Sequence, residues 1–269
     1  MSGFTADWLA LREPHDLRAR NSLVLQGVVA ALAHKGSIDV LDLACGTGST
    51  LRAVAPQVKS KQRWRLIDHD VALLAHAAAM PLPREVTVTT FPIDLSGNLE
   101  AAFNDAIDLV TTSALLDLVS EAWLDELARE AARRAASVYA ALSYDGLVEI
   151  SPVHSMDATV VAAVNLHQRR DKGFGPALGP DAANVAIARF ESLSYSVVKG
   201  RSDWTIGPQD RQFQTEILSG WASAVCELGT LSSVDIDEWL RWRADAVAAG
   251  HSSIRVGHVD IFAGPTAIR

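Results

Sequence analysis

Cysteine is scarce in this chain: there are two, Cys45 and Cys226, and neither sits in a Cys-x-x-Cys pair. That spacing supports neither a disulfide framework nor a zinc site, and no metal requirement is expected. Long apolar runs are also lacking. The longest near-apolar stretch, Leu23 to Ala33, is about half of what a membrane span requires. Arg18 and Arg20 before it and Ala-Leu-Ala at its end imitate a signal peptide. However, Leu25, Val28, Val29 and Leu32 recur at the spacing of one face of an amphipathic helix, and acidic residues precede them. A cytoplasmic protein with no targeting segment is expected. Excess positive charge is missing too. The formal net charge is -8, which argues against a tight nucleic-acid partner. The notable basic cluster is Gln168, Arg169, Arg170 and Lys172, expected to be a solvated helix end.

What is present suits a large α/β domain. The chain has 269 residues, 49% hydrophobic and 21% charged, enough to bury a sizeable core. Helix and strand patterns alternate from about residue 17 to 150. A first helix is predicted over Leu17–His34, then strands at Ile38–Leu43, Arg65–Asp68, Val86–Phe91, Ala106–Thr112 and Ser137–Leu142. Helices at Ser49–Ala55, Val71–Met80 and Glu121–Ala136 lie between them, and such alternation implies a parallel sheet covered on both faces. Further on, helices are predicted at Met156–Arg170, Asp181–Leu193, Gln209–Leu228 and Val234–Ala249, with strands at Tyr195–Ile206 and Ser253–Ala263. The expected organisation is one domain over residues 1–269, with an N-terminal helical cap at about 1–35 and an elaboration at about 143–193.

The informative stretch is Val40-Leu41-Asp42-Leu43-Ala44-Cys45-Gly46-Thr47-Gly48-Ser49, where a buried strand turns into a helix. Gly46 and Gly48 permit tight backbone geometry and close approach of a ligand. The helix starting near Ser49 aims free N–H groups at that turn. Asp68 closes the second strand about twenty residues on, where a nucleoside-binding α/β fold places a ribose-binding carboxylate. Asp94, in Phe91-Pro92-Ile93-Asp94-Leu95, follows the third strand and is placed for an adenine amino group. Asp42 could meet a cationic group deeper in the cleft, and Asp70 is expected to cap the next helix. Together these acids point to an adenosine-containing ligand.

These residues resemble the class I S-adenosylmethionine (SAM) dependent methyltransferases. VLDLACGTGS is similar to that family's first motif, D/E-x-G-x-G-x-G, with Ala44 where the first glycine usually stands. LIDHD resembles the second motif, PIDLS the third, and AIDLVTTSALL the fourth-strand motif; the match covers about residues 20 to 145. The resemblance implies a Rossmann-like, seven-stranded, mostly parallel sheet with helices on both faces and the last strand antiparallel. It assigns Asp42, Ala44 and the Gly46–Gly48 turn to the methionine portion of SAM, Asp68 to the ribose and Asp94 to the adenine. His69 and Leu95 beside those acids, and Ser113 beside the reactive methyl, complete the implied cofactor-binding set.

A dehydrogenase is the obvious rival, but its G-x-G-x-x-G fingerprint fails, since the sixth position from Gly46 is Leu51. SAM carries an activated methyl group, so the protein chiefly has to align donor and acceptor. Acceptor contacts are sought among Trp8, His15, Arg18, Ser113, Asp117, Tyr144, Asp145, His154 and His167. No catalytic base is assigned, and the default for each histidine is a structural role; for Asp117 it is a helix cap. The expected acceptor is a small molecule, with SAM yielding S-adenosylhomocysteine, and the chain a monomer or homodimer. Alternatives are an RNA or protein methyltransferase and a SAM-binding protein without turnover. The fourth strand carries Thr-Thr-Ser-Ala where methylases of amide and exocyclic amines carry Asn-Pro-Pro-Tyr.

Overall fold

A computed structural model describes residues 4–266. Two helices open the chain, α1 (Ala6–Ala19) and α2 (Ser22–Leu32), followed by β1 (Ser37–Leu43), α3 (Ser49–Val54), β2 (Lys61–Asp68), α4 (Val71–Ala78) and β3 (Val86–Pro92). Next come β4 (Leu109–Ser113), α5 (Glu121–Arg133), β5 (Ser137–Ser151), α6 (Asp157–Gln168) and α7 (Ala182–Ser192). The chain ends with β6 (Tyr195–Arg201), β7 (Trp204–Ile206), α8 (Arg211–Leu228), α9 (Ser233–Ala248) and β8 (Ser253–Pro265).

The strands form one sheet in the order β3-β2-β1-β4-β5-β8-β6, with β7 paired to the other end of β8. The five strands from β3 to β5 are parallel, and β8 runs antiparallel to β5, β6 and β7. The chain leaves β1 toward β2 and β3, then returns to β4 on the other side. The carboxyl end of β1 is therefore the switch point, where open α/β sheets bind ligands.

Three apolar clusters hold these layers together. One sheet face carries Leu41, Leu43, Val110 and Val138 against Leu124, Leu127 and Ala131 of α5 and Ala186 and Phe190 of α7. The other carries Val40, Trp64, Leu66 and Leu109 against Val24, Val28 and Leu32 of α2, Leu51 of α3 and Leu74 of α4. Strands buried on both faces must be apolar almost throughout, which is why β1 and β4 read as they do. A third cluster lies over the distal ends of β5, β7 and β8, where Trp204, Ile206 and Val256 meet α6, α8 and α9 through Val160, Phe213, Ile217 and Trp239.

The structure corrects the sequence expectations in three places. The predicted first helix is two helices, broken where Arg20 takes an extended conformation and Asn21 caps α2 by accepting from the N–H groups of Leu23 and Val24. The cause is long-range: the Arg20 side chain turns inward, and the Asn21 N–H donates to buried Asp260 at 2.9 Å. The sheet has eight strands, not seven, because the predicted Tyr195–Ile206 strand splits at Ser202 and Asp203. The Asp203 carboxylate collects Arg201, Arg255 and the His258 N–H there. Finally, β5 continues nine residues past its predicted end at Leu142, paired with β8 alone beyond Ala141.

Candidate functional site

The β1–α3 turn is built from left-handed residues. Ala44, Gly46 and Gly48 have φ of 51°, 54° and 83°. At Gly48 an added Cβ would fall 2.6 Å from the Met80 Cε, and at Gly46 3.1 Å from the Leu9 Cδ1. Both glycines are thus required by conformation, since the atoms an added Cβ would meet are the movable ends of flexible side chains. Ala44 takes the same left-handed step with a Cβ, which is the cost of departing from glycine at this position.

Asp68 closes β2, and its carboxylate holds the turn. Oδ2 accepts from the Gly46 N–H at 2.8 Å and Oδ1 from the Asp70 N–H at 3.0 Å. Asp70 caps α4, accepting from Ala72 and Leu73 as expected. His69 projects into solvent with Nδ1 3.4 Å from Asp68 Oδ1. Asp94 is exposed at the end of β3, where Ser96 hydrogen bonds hold its carboxyl below the ordinary range. Leu95 beside it is buried, its carbonyl accepting from the Trp123 indole at 2.7 Å.

Asp42 is fully buried on β1. Oδ1 accepts from Thr111 of the neighbouring β4 at 2.7 Å, while Oδ2 has no hydrogen-bond partner among the described residues. Burial pushes the carboxyl up to about 7, against the opposing pulls of Thr111 and Arg20. The same burial raises the Cys45 thiol, so it stays protonated and inert.

Helix α1 lies in the segment expected as an N-terminal helical cap, and what sequence reasoning missed is how it is fastened and where Arg20 goes. The helix lies across the glycine turn beside a small cleft of about 50 Å³, open to solvent, lined by Leu9, Arg12 and Asp16 together with Ala44–Thr47, Ser49, Thr50 and Ser113. Glu13 clamps α1 to the turn through Arg52 of α3, whose Nη2 donates to Oε2 at 2.6 Å and whose Nη1 donates to the Thr47 carbonyl at 2.6 Å. Asp16 fixes the other side, accepting from Arg12 and from the Trp204 indole at 2.9 Å. Arg20, at the end of α1, is buried with its guanidinium toward Tyr139, Thr50 and Ser113. No carboxylate lies within ion-pairing distance of it among the described residues, and its Nε is unpartnered. The only sequence signal for such a group is a basic residue flanking an apolar helix.

Most of the expected acceptor contacts have structural roles. Trp8 and His15 pack on Phe213, with ring centroids 5.5 and 4.1 Å apart. Arg18 donates to His15. His154 accepts from the Met156 N–H and packs on Trp242, and His167 pairs with Glu227. Asp145 accepts from the Leu147 N–H. The basic cluster is also consumed internally: Arg169 pairs with Asp181, Arg170 donates to the Glu227 carbonyl, and Lys172 meets His167. Tyr144, within β5, is buried and its hydroxyl donates to Asn165 at 2.7 Å, while Asp117 is buried just beyond the end of β4.

A family model described as a methyltransferase domain matches residues 40–137. Comparison with curated proteins gives no match. Among solved structures, a cyclopropane-fatty-acyl-phospholipid synthase-like protein from Lactobacillus casei ATCC 334 is similar at 17% identity and a TM-score of 0.55, covering 97% of this chain and 94% of its own. A putative type II methyltransferase from Anaeromyxobacter dehalogenans is similar at 16% identity and a TM-score of 0.50, covering 91% and 96%. The chain shares its overall fold with these two solved structures. Residues 40–137, from β1 to the start of β5, are the part of the chain that the methyltransferase-domain model matches.

Proposed function

We propose that this protein methylates a small-molecule acceptor, holding SAM between α1 and the β1–α3 turn. The observation that carries this reading is the pair of unpartnered buried atoms behind that turn: the Asp42 Oδ2 and the Arg20 Nε. Buried polar groups are normally partnered, and a buried charge without a counter-ion is costly. One anionic and one cationic group suit the two ends of a zwitterion, and the amino-acid portion of SAM is one. Asp42 would face its ammonium and Arg20 its carboxylate. The left-handed turn supplies close backbone approach, Asp68 the ribose contact, and Asp94 with Leu95 the adenine contact.

When bound, SAM supplies a methyl group on sulfonium, already activated for in-line displacement. The residues of this chain then orient and enclose. Helix α1, fastened by Glu13 and Asp16, covers one side of the cleft, and Ser113 at the end of β4 is part of its lining. The polar groups beyond Arg12, on Asp117, Tyr144 and His258, are all buried. An acceptor reached under a helical cover is small, and the internal pairing of the 168–172 cluster leaves no free basic stripe there for a polymer.

The test is calorimetric titration of the ligand-free protein with SAM, S-adenosylhomocysteine and adenosine. If Asp42 and Arg20 hold the amino-acid end, both amino-acid ligands bind at least 100-fold tighter than adenosine. Equal affinities would refute the assignment, and no binding of any of the three would refute the cofactor itself.

A further inference from the structure

Behind Arg12, which lines the cleft, stands a buried carboxylate with one unpartnered oxygen, that of Asp117. Asp117 lies four residues beyond the end of β4, and its side chain is buried. The cap of α5 is Ser120, which accepts from the Trp123 N–H, so the helix-cap role expected of Asp117 falls to another residue. Its backbone is held firmly: the Asp117 carbonyl accepts from the Gly179 N–H at 3.0 Å, and the Val119 carbonyl from Leu178 at 2.9 Å. Yet its Oδ1 has no hydrogen-bond partner among the described residues. A rigidly placed, buried, unpartnered carboxylate oxygen is costly to keep and is a common feature of functional sites.

Its neighbours come from three elements. Arg12 of α1, which also lines the cleft beside Ser113, and Lys172 of the segment after α6 both favour its charged form, and the Tyr144 backbone and phenol adjoin it from β5. Tyr144 faces His258 across the β5–β8 ladder. The His258 Nδ1 is likewise buried and unpartnered among the described residues, and burial first, then Arg12, holds its ring neutral by lowering it to about 3. An anionic acceptor and a neutral imidazole thus stand near Arg12, each with one atom that has no partner among the described residues. Burial raises the Asp117 carboxyl to about 6, against the pull of those cations, so it is ionised at neutral pH but close to its proton.

We propose that Asp117 is the base of the reaction, its Oδ1 receiving the proton from an N–H or O–H group of the methyl acceptor. This rests on the methyltransferase reading above. The bonds balance without any other reactant. The acceptor heteroatom forms a bond to the methyl carbon, the carbon–sulfur bond breaks with its electron pair going to sulfur, and the heteroatom's proton passes to the carboxylate. The acceptor class is a small amine or phenol; a carboxylic acid has no proton to give at neutral pH and would be repelled.

The test uses the full chain saturated with S-adenosylhomocysteine and a size-matched panel of amines, phenols and carboxylic acids, read by ligand-observed NMR, then by turnover with SAM. Binding is expected from the amine or the phenol arm and not from the acids. Asp117→Asn should leave S-adenosylhomocysteine affinity within twofold yet lower kcat about 10²–10⁴-fold. In wild type, kcat should fall as pH drops through about 6, and Asp117→Glu should recover part of the activity with a displaced acid limb. Binding by acids alone, no binding from either proton-bearing class, or unchanged turnover in Asp117→Asn would each overturn the proposal. If S-adenosylhomocysteine itself fails to bind wild type, the methyltransferase reading fails instead.

Discussion

Asp42→Asn should make the ligand-free protein more stable above pH 7 while weakening its hold on the cofactor. The carboxyl is fully buried and its folded-state value is about 7, against an ordinary 3.8. Because the folded protein binds this proton more tightly than the unfolded chain, stability is highest below the ordinary value and falls as pH rises toward 7. A shift of roughly 3 units corresponds to about 4 kcal/mol at full ionisation. Asparagine keeps an oxygen for the Thr111 hydroxyl, but it places an NH₂ where Oδ2 had no partner. An unsatisfied buried donor costs about 1–3 kcal/mol. The net expectation is a gain of about 1–3 kcal/mol at pH 8 and a comparable loss at pH 4. Urea denaturation of both proteins at pH 4, 6 and 8 reads this directly, with S-adenosylhomocysteine titration alongside. A variant less stable than wild type at pH 8, with the same pH slope, would refute the reasoning.

Ala44→Gly removes a Cβ from a residue at φ 51°; relief of left-handed strain against greater unfolded-state freedom should stabilise by up to about 1 kcal/mol, read as a shift in urea midpoint. Asp68→Ala removes the acceptor of the Gly46 and Asp70 N–H groups as well as the proposed ribose contact. It should therefore cost about 1–3 kcal/mol in folding stability as well as weakening S-adenosylhomocysteine binding, and an effect on binding alone would show that the turn does not depend on it. Glu13→Gln breaks the clamp on Arg52; amide exchange in α1 should accelerate and cofactor affinity drop several-fold, with global stability changed by less than about 1 kcal/mol.

What the sequence made legible is what local physics dictates. Parallel strands buried on both faces must be apolar runs, so β1 and β4 could be located from residue type, and a turn with successive positive φ must spend glycines, so Gly46 and Gly48 stood out. What stayed hidden depends on partners far away in the chain. Arg20 breaks the first helix because its guanidinium reaches Tyr139, 119 residues on. Asp260 then accepts from the N–H groups of Asn21 and Leu142 and from the Tyr139 hydroxyl. Nothing near Arg20 in sequence distinguishes it from a solvated arginine. The split of β6 from β7 has the same origin, in Asp203 gathering donors from β8.

The same long-range logic explains where the strain sits. Ala44, Ala114 and Leu142, all non-glycine residues with φ between 51° and 55°, are each the first residue beyond the parallel ladder: after Leu43 of β1, after Ser113 of β4, and after Ala141, the last β5 residue paired with β4. Three adjacent strands thus leave the sheet by the same unfavourable step. Two of them are held there by their N–H groups: Ala114 donates to the Ala141 carbonyl and Leu142 to Asp260. Beside those exits lie the Asp42 carboxyl of β1 and the Ser113 hydroxyl of β4. Left-handed conformation at alanine or leucine costs on the order of 1–2 kcal/mol per residue, and its repetition along one sheet edge marks that edge as the place where backbone geometry serves a ligand rather than the core.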